Sequence, residues 1–236
     1  MRTRVSAPRV PARLLMAAAL LLASGQLVRA EPPARIARVA LAPRMVDRMS
    51  GVAWGAMTAE CDRIWAGEGI VLTWDGSPDA DVVLPLVFDQ REARKHDRQD
   101  GDAFGVTLFA GRSQRIVVSI DRARNVVAQH HGLADSSDGM ALDIAMGTVL
   151  GRVVAHEIGH ALLLTMTHAA SGLMHPHIDA ADLRPSLAGQ FALLQPDRGR
   201  LSTRFSNWNP SAQRAADATF TWTDAPAAPS RRRAQR

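Results

Sequence analysis

The chain has 236 residues, 47% apolar and 22% charged, which suffices for one domain with a sizeable core and excludes wholesale disorder. Its formal net charge of +5 sits at the ends: five arginines in residues 1–30 and four in residues 231–236 leave residues 31–230 at −4. A nucleic-acid binder carries a basic body and this body is mildly acidic, so no nucleic-acid partner is expected.

Residues 1–30 read as a secretory signal peptide. Arg2, Arg4, Arg9 and Arg13 precede the apolar run of residues 14–23, and Val28-Arg29-Ala30 offers small residues before a cut. The run is about half of the roughly twenty residues that a membrane-spanning helix needs. The mature chain is therefore expected to begin near Glu31, to leave the membrane after cleavage, and to be secreted or periplasmic. Cys61 is the only cysteine, so no internal disulfide can form and no thiolate metal site can be built. A buried, structural Cys61 suits an exported protein better than a reactive one.

Residues 35–42 alternate loosely toward Pro43 and predict a first strand. Residues 45–66 follow as a helix, with Met45, Met49, Val52, Met57, Cys61 and Ile64 at helical spacing. Residues 70–74 and 81–88 predict two strands around the turn-forming Asp75-Gly76-Ser77-Pro78. Residues 89–102 read as a charged loop, and residues 104–110 and 115–121 as two further strands. Residues 138–165 predict a long helix, because Leu150, Val154, Ile158 and Leu162 recur every fourth residue. A short last helix is expected near 186–194, and the Ala-, Pro-, Ser- and Arg-rich residues 221–236 read as a disordered C-terminal tail. The expected fold is α/β (α+β): residues 31–220 form one domain, a single mixed sheet of about five strands backed by two long helices.

The chemistry concentrates on the long helix, at His156-Glu157-Ile158-Gly159-His160. Positions four apart stack on one helix face, so both imidazoles can reach one cation. Glu157, offset by about 100°, can touch a water on that cation without becoming a ligand. With 8 His and 5 Glu in the chain, this pattern arises by chance roughly 0.006 times per sequence of this length. A catalytic zinc takes a third protein ligand and keeps one position open. Glu157 is the last glutamate, so the third ligand comes from His168, His175, His177, Asp179 or Asp182.

The stretch from Val154 to Pro176 resembles the metzincin clan of zinc peptidases, whose motif HExxHxxGxxH precedes a tight turn carrying a methionine below the metal. His156, Glu157 and His160 match the first two ligands and the base, and Met174 in Ser171-Gly172-Leu173-Met174-His175-Pro176 looks like the Met-turn. The motif's glycine is Leu163 here and its third histidine is Met166, so the third-ligand role passes to His168 with two extra residues in the bend, and Asp179 is the fallback. The order of strands and helices over residues 35–205 also resembles the metzincin N-terminal subdomain, and a zincin-like fold is implied.

The resemblance implies a monomeric, exported zinc endopeptidase acting on protein or peptide substrates, with one catalytic Zn2+. Glu157 would deprotonate a zinc-bound water, and substrate would pair with an edge strand containing Val106, Thr107 and Leu108. The chain contains no tyrosine, which excludes a tyrosine hydroxyl as oxyanion donor. His96, Asp97, Asp100 and Asp102 faintly resemble the cation-binding loop of matrixins, which makes Ca2+ a second candidate cofactor. Two alternatives stand beside this reading: a zinc-holding peptide-binding module without turnover, and an aspzincin-like peptidase with Asp179 or Asp182 as third ligand.

Overall fold

The computed structural model describes residues 36–45, 47–96, 104–111, 113–129, 138–178, 182 and 189–207. The signal peptide expected at 1–30, the calcium loop at 97–102, the fallback ligand Asp179 and the tail at 221–236 lie outside them.

Ten elements follow in chain order: β1 (Ala37–Met45), α1 (Gly51–Ala66), β2 (Ile70–Thr73), β3 (Val82–Phe88), α2 (Gln90–His96), β4 (Gly105–Ala110), β5 (Ser113–Val118), α3 (Ile120–Gln129), α4 (Gly139–Leu163) and α5 (Gln195–Ser206). The mixed five-stranded sheet anticipated from the sequence is present, in the order β2-β1-β3-β5-β4. Its first four strands run parallel, and β4 runs antiparallel to β5 at the edge. The parallel strands need crossovers, which α1 and its neighbours supply.

Pro43 lies inside β1 rather than ending it. It pairs with Leu86 on the β3 side, and β2 reaches only as far as Ala40, so its missing N–H interrupts no ladder. The helix expected from Met45 begins instead at Gly51, because Met45 completes β1 and the Ser50 hydroxyl caps Ala53 N at 3.1 Å.

Alternation along the strands divides the sheet's two faces. Val82, Leu84, Leu86 and Phe88 of β3, with Ile116 and Val118 of β5, join the main core with α1 and α4. Val87 and Val117 face the other way, against Ala93 of α2, with Val106 and Leu108 packed beside them. Helix α2 stands where the sequence reads as loop. The Asp89 carboxylate accepts from Arg91 N and Glu92 N at 2.9 and 3.0 Å and so starts a helix despite the charged composition. Helix α3, which the sequence reading lacks, buries Ile120, Ala123, Val126 and Val127 against the core. Of the helix expected at 186–194, residues 186–188 lie outside the described ones and residues 189–194 form no α-helix; the last described helix is α5, begun by Pro196 in its first turn.

The two long helices, α1 and α4, approach closely at Gly147 and Gly151. A Cβ at Gly147 would collide with the Ala53 carbonyl and the Ala56 methyl, and one at Gly151 would lie 2.7 Å from the Met57 carbonyl oxygen. Arg152 and Glu60 close the same interface with a 2.8 Å ion pair, and the Arg152 guanidinium lies 4.4 Å above the Phe191 ring. Replacing Gly147 by Ala must push the helices apart, and denaturant unfolding should register a loss of about 1–3 kcal/mol. Unchanged stability would mean that the helix pair tolerates a wider spacing. Among the described residues, no helix is long and apolar enough to cross a membrane.

Candidate metal centre

Helix α4 is the element that presents the site. Asp138 caps its start, accepting from Met140 N at 2.9 Å and Ala141 N at 3.3 Å. Its C-terminal half is buried all round, from Val149 through Leu162. One turn apart on that buried half, the rings of His156 and His160 lie 4.6 Å apart.

Each of the two rings is oriented by a carbonyl. His156 Nδ1 lies 2.7 Å from Leu173 O, and His160 Nδ1 lies 2.7 Å from Thr165 O. A carbonyl only accepts, so each Nδ1 carries the proton and each Nε2 keeps its lone pair for a metal. Burial, with the His160 ring beside it, pushes the His156 imidazole down to about 3. Burial also pushes His160 down to about 4. Both rings are therefore neutral at neutral pH, the form in which imidazole ligates.

The chain then turns back. Leu164 ends α4 in the left-handed region (φ 52°, ψ 44°), and it is the one non-glycine residue with positive φ among those described. A leucine in this conformation costs of order 1–2 kcal/mol in backbone strain. Arg204 of α5 holds the bend by donating to the Ala161 and Leu162 carbonyl oxygens, which the helix end leaves unsatisfied.

Beyond the bend, exposed His168 comes back over the helix. Its ring lies 5.3 Å from that of His156 and 5.0 Å from that of His160. His160 Nε2 and His168 Nε2 are 3.3 Å apart. Tetrahedral zinc with Zn–N bonds of about 2.0–2.1 Å separates its nitrogens by about the same distance. One ligand atom from each of the three histidines lies within 4.8 Å of the others, so the cluster could hold a metal ion. It is the one such group among the described residues. Neither His175, His177 nor Asp182 belongs to it. His175 Nδ1 instead faces His177 O at 3.1 Å, and the Asp182 carbonyl oxygen accepts from Arg152.

No known family model matches this chain, and no curated protein matches it either. The chemical reading therefore rests on the geometry of the site.

Met174 packs against α4 at Gly159. It is 2% exposed, and its sulfur occupies the space that a side chain at Gly159 would need. Gly172 (φ +78°) opens the turn that carries it, closed by His175 N donating to Gly172 O at 3.1 Å. A Cβ at Gly172 would lie 2.7 Å from Ala192 O, so the turn requires glycine twice over. The turn thus delivers both Leu173 O to His156 and Met174 to the underside of the helix.

Glu157 is 5% exposed and points toward β4. Thr107 Oγ1 lies 2.7 Å from Glu157 Oε2 and 2.9 Å from Glu157 O. Burial pushes the Glu157 carboxyl up to about 7, against the Thr107 hydrogen bond, which lowers it. Strand β4 is the sheet edge, as the substrate-strand expectation requires. Its side chains divide, however: Thr107 turns inward to Glu157, whereas Val106 and Leu108 pack on the far face with Val87, Ala93 and Val117. Any pairing with a substrate would run through the β4 backbone. The sequence pattern singles out Thr107 only as part of that strand; its contact with Glu157 spans 50 residues and leaves no local signal. Cys61 is buried, and burial pushes its thiol well above the usual range, in keeping with a structural role.

Proposed function

We propose that this protein is an exported zinc-dependent endopeptidase of metzincin type. The observation that carries the proposal is the convergence of His156, His160 and His168 with Glu157 on the adjoining helix position. Three neutral imidazoles suit zinc, and three protein ligands leave a position open for chemistry. Met174 under the helix supports the metzincin assignment, and His168 takes the third-ligand role in place of the motif's own third histidine.

A zinc ion held by these residues would supply a Lewis acid that polarises a carbonyl and lowers the pKa of water. Glu157 accepts the proton from the attacking water and returns it to the leaving amine. A carboxyl pushed up to about 7 is suited to both steps near neutral pH. Among the described strands β4 has a neighbour on one side alone, and its other side offers backbone donors and acceptors to an extended peptide, which would lay the scissile bond along the helix that carries Glu157. A Ca2+ ion at the loop of residues 96–102, the monomeric state and the secreted or periplasmic location belong to the same proposal.

The test is direct. Purified protein should carry one zinc per chain and cleave members of a broad peptide library, lose that cleavage to a chelator, and regain it with added zinc. One zinc per chain with no cleavage anywhere in the library would instead favour the binding module without turnover.

A further inference from the structure

We propose that Thr107 is the positioning residue for Glu157, fastening the carboxylate of the base to the strand that would carry substrate. The inference rests on the peptidase reading and adds a residue to its machinery.

The geometry is a socket built by alternate residues of β4. Thr107 is 2% exposed, and its hydroxyl meets both Glu157 Oε2 at 2.7 Å and Glu157 O at 2.9 Å. Two residues earlier on the same face, Gly105 makes room: a Cβ there would lie 2.9 Å from Glu157 Cγ and 3.0 Å from Oε1. Any larger residue at 105 would displace the carboxylate that Thr107 holds. Among the described residues, Thr107 is the side chain that bonds this carboxylate.

A hydroxyl is well suited to the task because it has one proton and two lone pairs. It donates to Oε2 when Glu157 is ionised. When Glu157 has taken the water proton on Oε1, Oε2 becomes a carbonyl-type oxygen and still accepts from the hydroxyl. The base keeps a partner, and its place, on both sides of the transfer. Because the bond comes from β4, a peptide paired on the strand's free edge and the base on its inner face share one rigid support. Positioning of this kind raises the rate without contributing to substrate binding.

The experiment compares Thr107→Val, which keeps the shape and removes the hydroxyl, with Thr107→Ser, which restores it. Zinc content, kcat and KM are measured, together with the affinity of the zinc-loaded protein for acetohydroxamate, whose acidic hydroxyl would hydrogen-bond to Glu157. Thr107→Val should hold one zinc, lose about 10- to 100-fold in kcat, keep KM within about twofold and bind acetohydroxamate about tenfold more weakly. Thr107→Ser should recover most of both losses. Wild-type kcat and acetohydroxamate affinity in Thr107→Val would overturn the inference, as would a loss that Ser does not rescue. If the Val variant fails to fold, Thr107→Ala, which leaves space in place of an unmatched methyl, is read by the same measures. A wild-type protein that cleaves nothing would defeat the peptidase reading, and acetohydroxamate affinity would still decide the role of Thr107.

Discussion

Glu157→Gln should abolish peptide cleavage, by about 10²–10⁴-fold in kcat, while zinc content stays at one per chain. The amide has the shape of the carboxylate and can still meet the Thr107 hydroxyl, but it cannot take a proton from water. His156, His160 and His168 are untouched, so metal binding should persist. A variant that keeps near-wild-type turnover would remove Glu157 from the chemistry and the peptidase mechanism with it. The same substitution should leave its mark on stability. Burial raises the folded-state Glu157 above its ordinary 4.5 to about 7, so its contribution is fully present below pH 4.5 and lost as pH rises through 7. Metal-free Glu157→Gln should therefore gain in melting temperature relative to metal-free wild type at pH 8, and the gap should narrow toward pH 6. An equal gap at both values would mean that Glu157 is not held in an ion-disfavouring site.

His168→Ala should strip the metal. Two imidazoles remain on α4, and the nitrogen 3.3 Å from His160 Nε2 is gone. Losing a ligand costs more than the roughly 10–100-fold in affinity that accompanies loss of a supporting hydrogen bond. Cleavage should vanish with the metal, and so should the rise in melting temperature that zinc gives the wild type. The metal-free variant should unfold within about 0.5 kcal/mol of metal-free wild type, because His168 is exposed and contributes nothing to the core. His175→Ala, outside the cluster, is the control and should keep its zinc. Retention of zinc by His168→Ala would transfer the third-ligand role to another residue, with Asp179 the first to test.

Much of this arrangement is legible in the order of residues. The apolar run of β3 and the recurrence of Leu150, Val154, Ile158 and Leu162 at every fourth position locate a strand and a helix to within two residues of their ends. Helix α2 is hidden by its charge, yet Asp89 and Glu92 stand at the spacing of a capping box, which is the signal that could have found it. Helix α3 is overrun at its start by the strand expected at 115–121, although Ile120, Ala123 and Val127 recur at helical spacing with Asp121, Arg122 and Arg124 between them, as in an amphipathic helix. Helix α2 is short and mostly charged, and pattern alone does not separate such a helix from a loop.

The amino-acid sequence by itself determined that His156 and His160 would share one helix face with Glu157 beside them, because a helix converts spacing into geometry through bonds that span four residues. It also determined that Cys61 stands alone, so that no internal disulfide can form. Only the tertiary structure decided that His168 completes the triad, that Leu173 and Thr165 aim the two helix imidazoles, and that Thr107 holds Glu157. His168, Thr165 and Leu173 reach α4 because a left-handed turn at Leu164 and a tight turn at Gly172 fold the chain back onto it, and Thr107 reaches Glu157 because β4 packs against α4; such contacts depend on the path of the whole chain rather than on any local period.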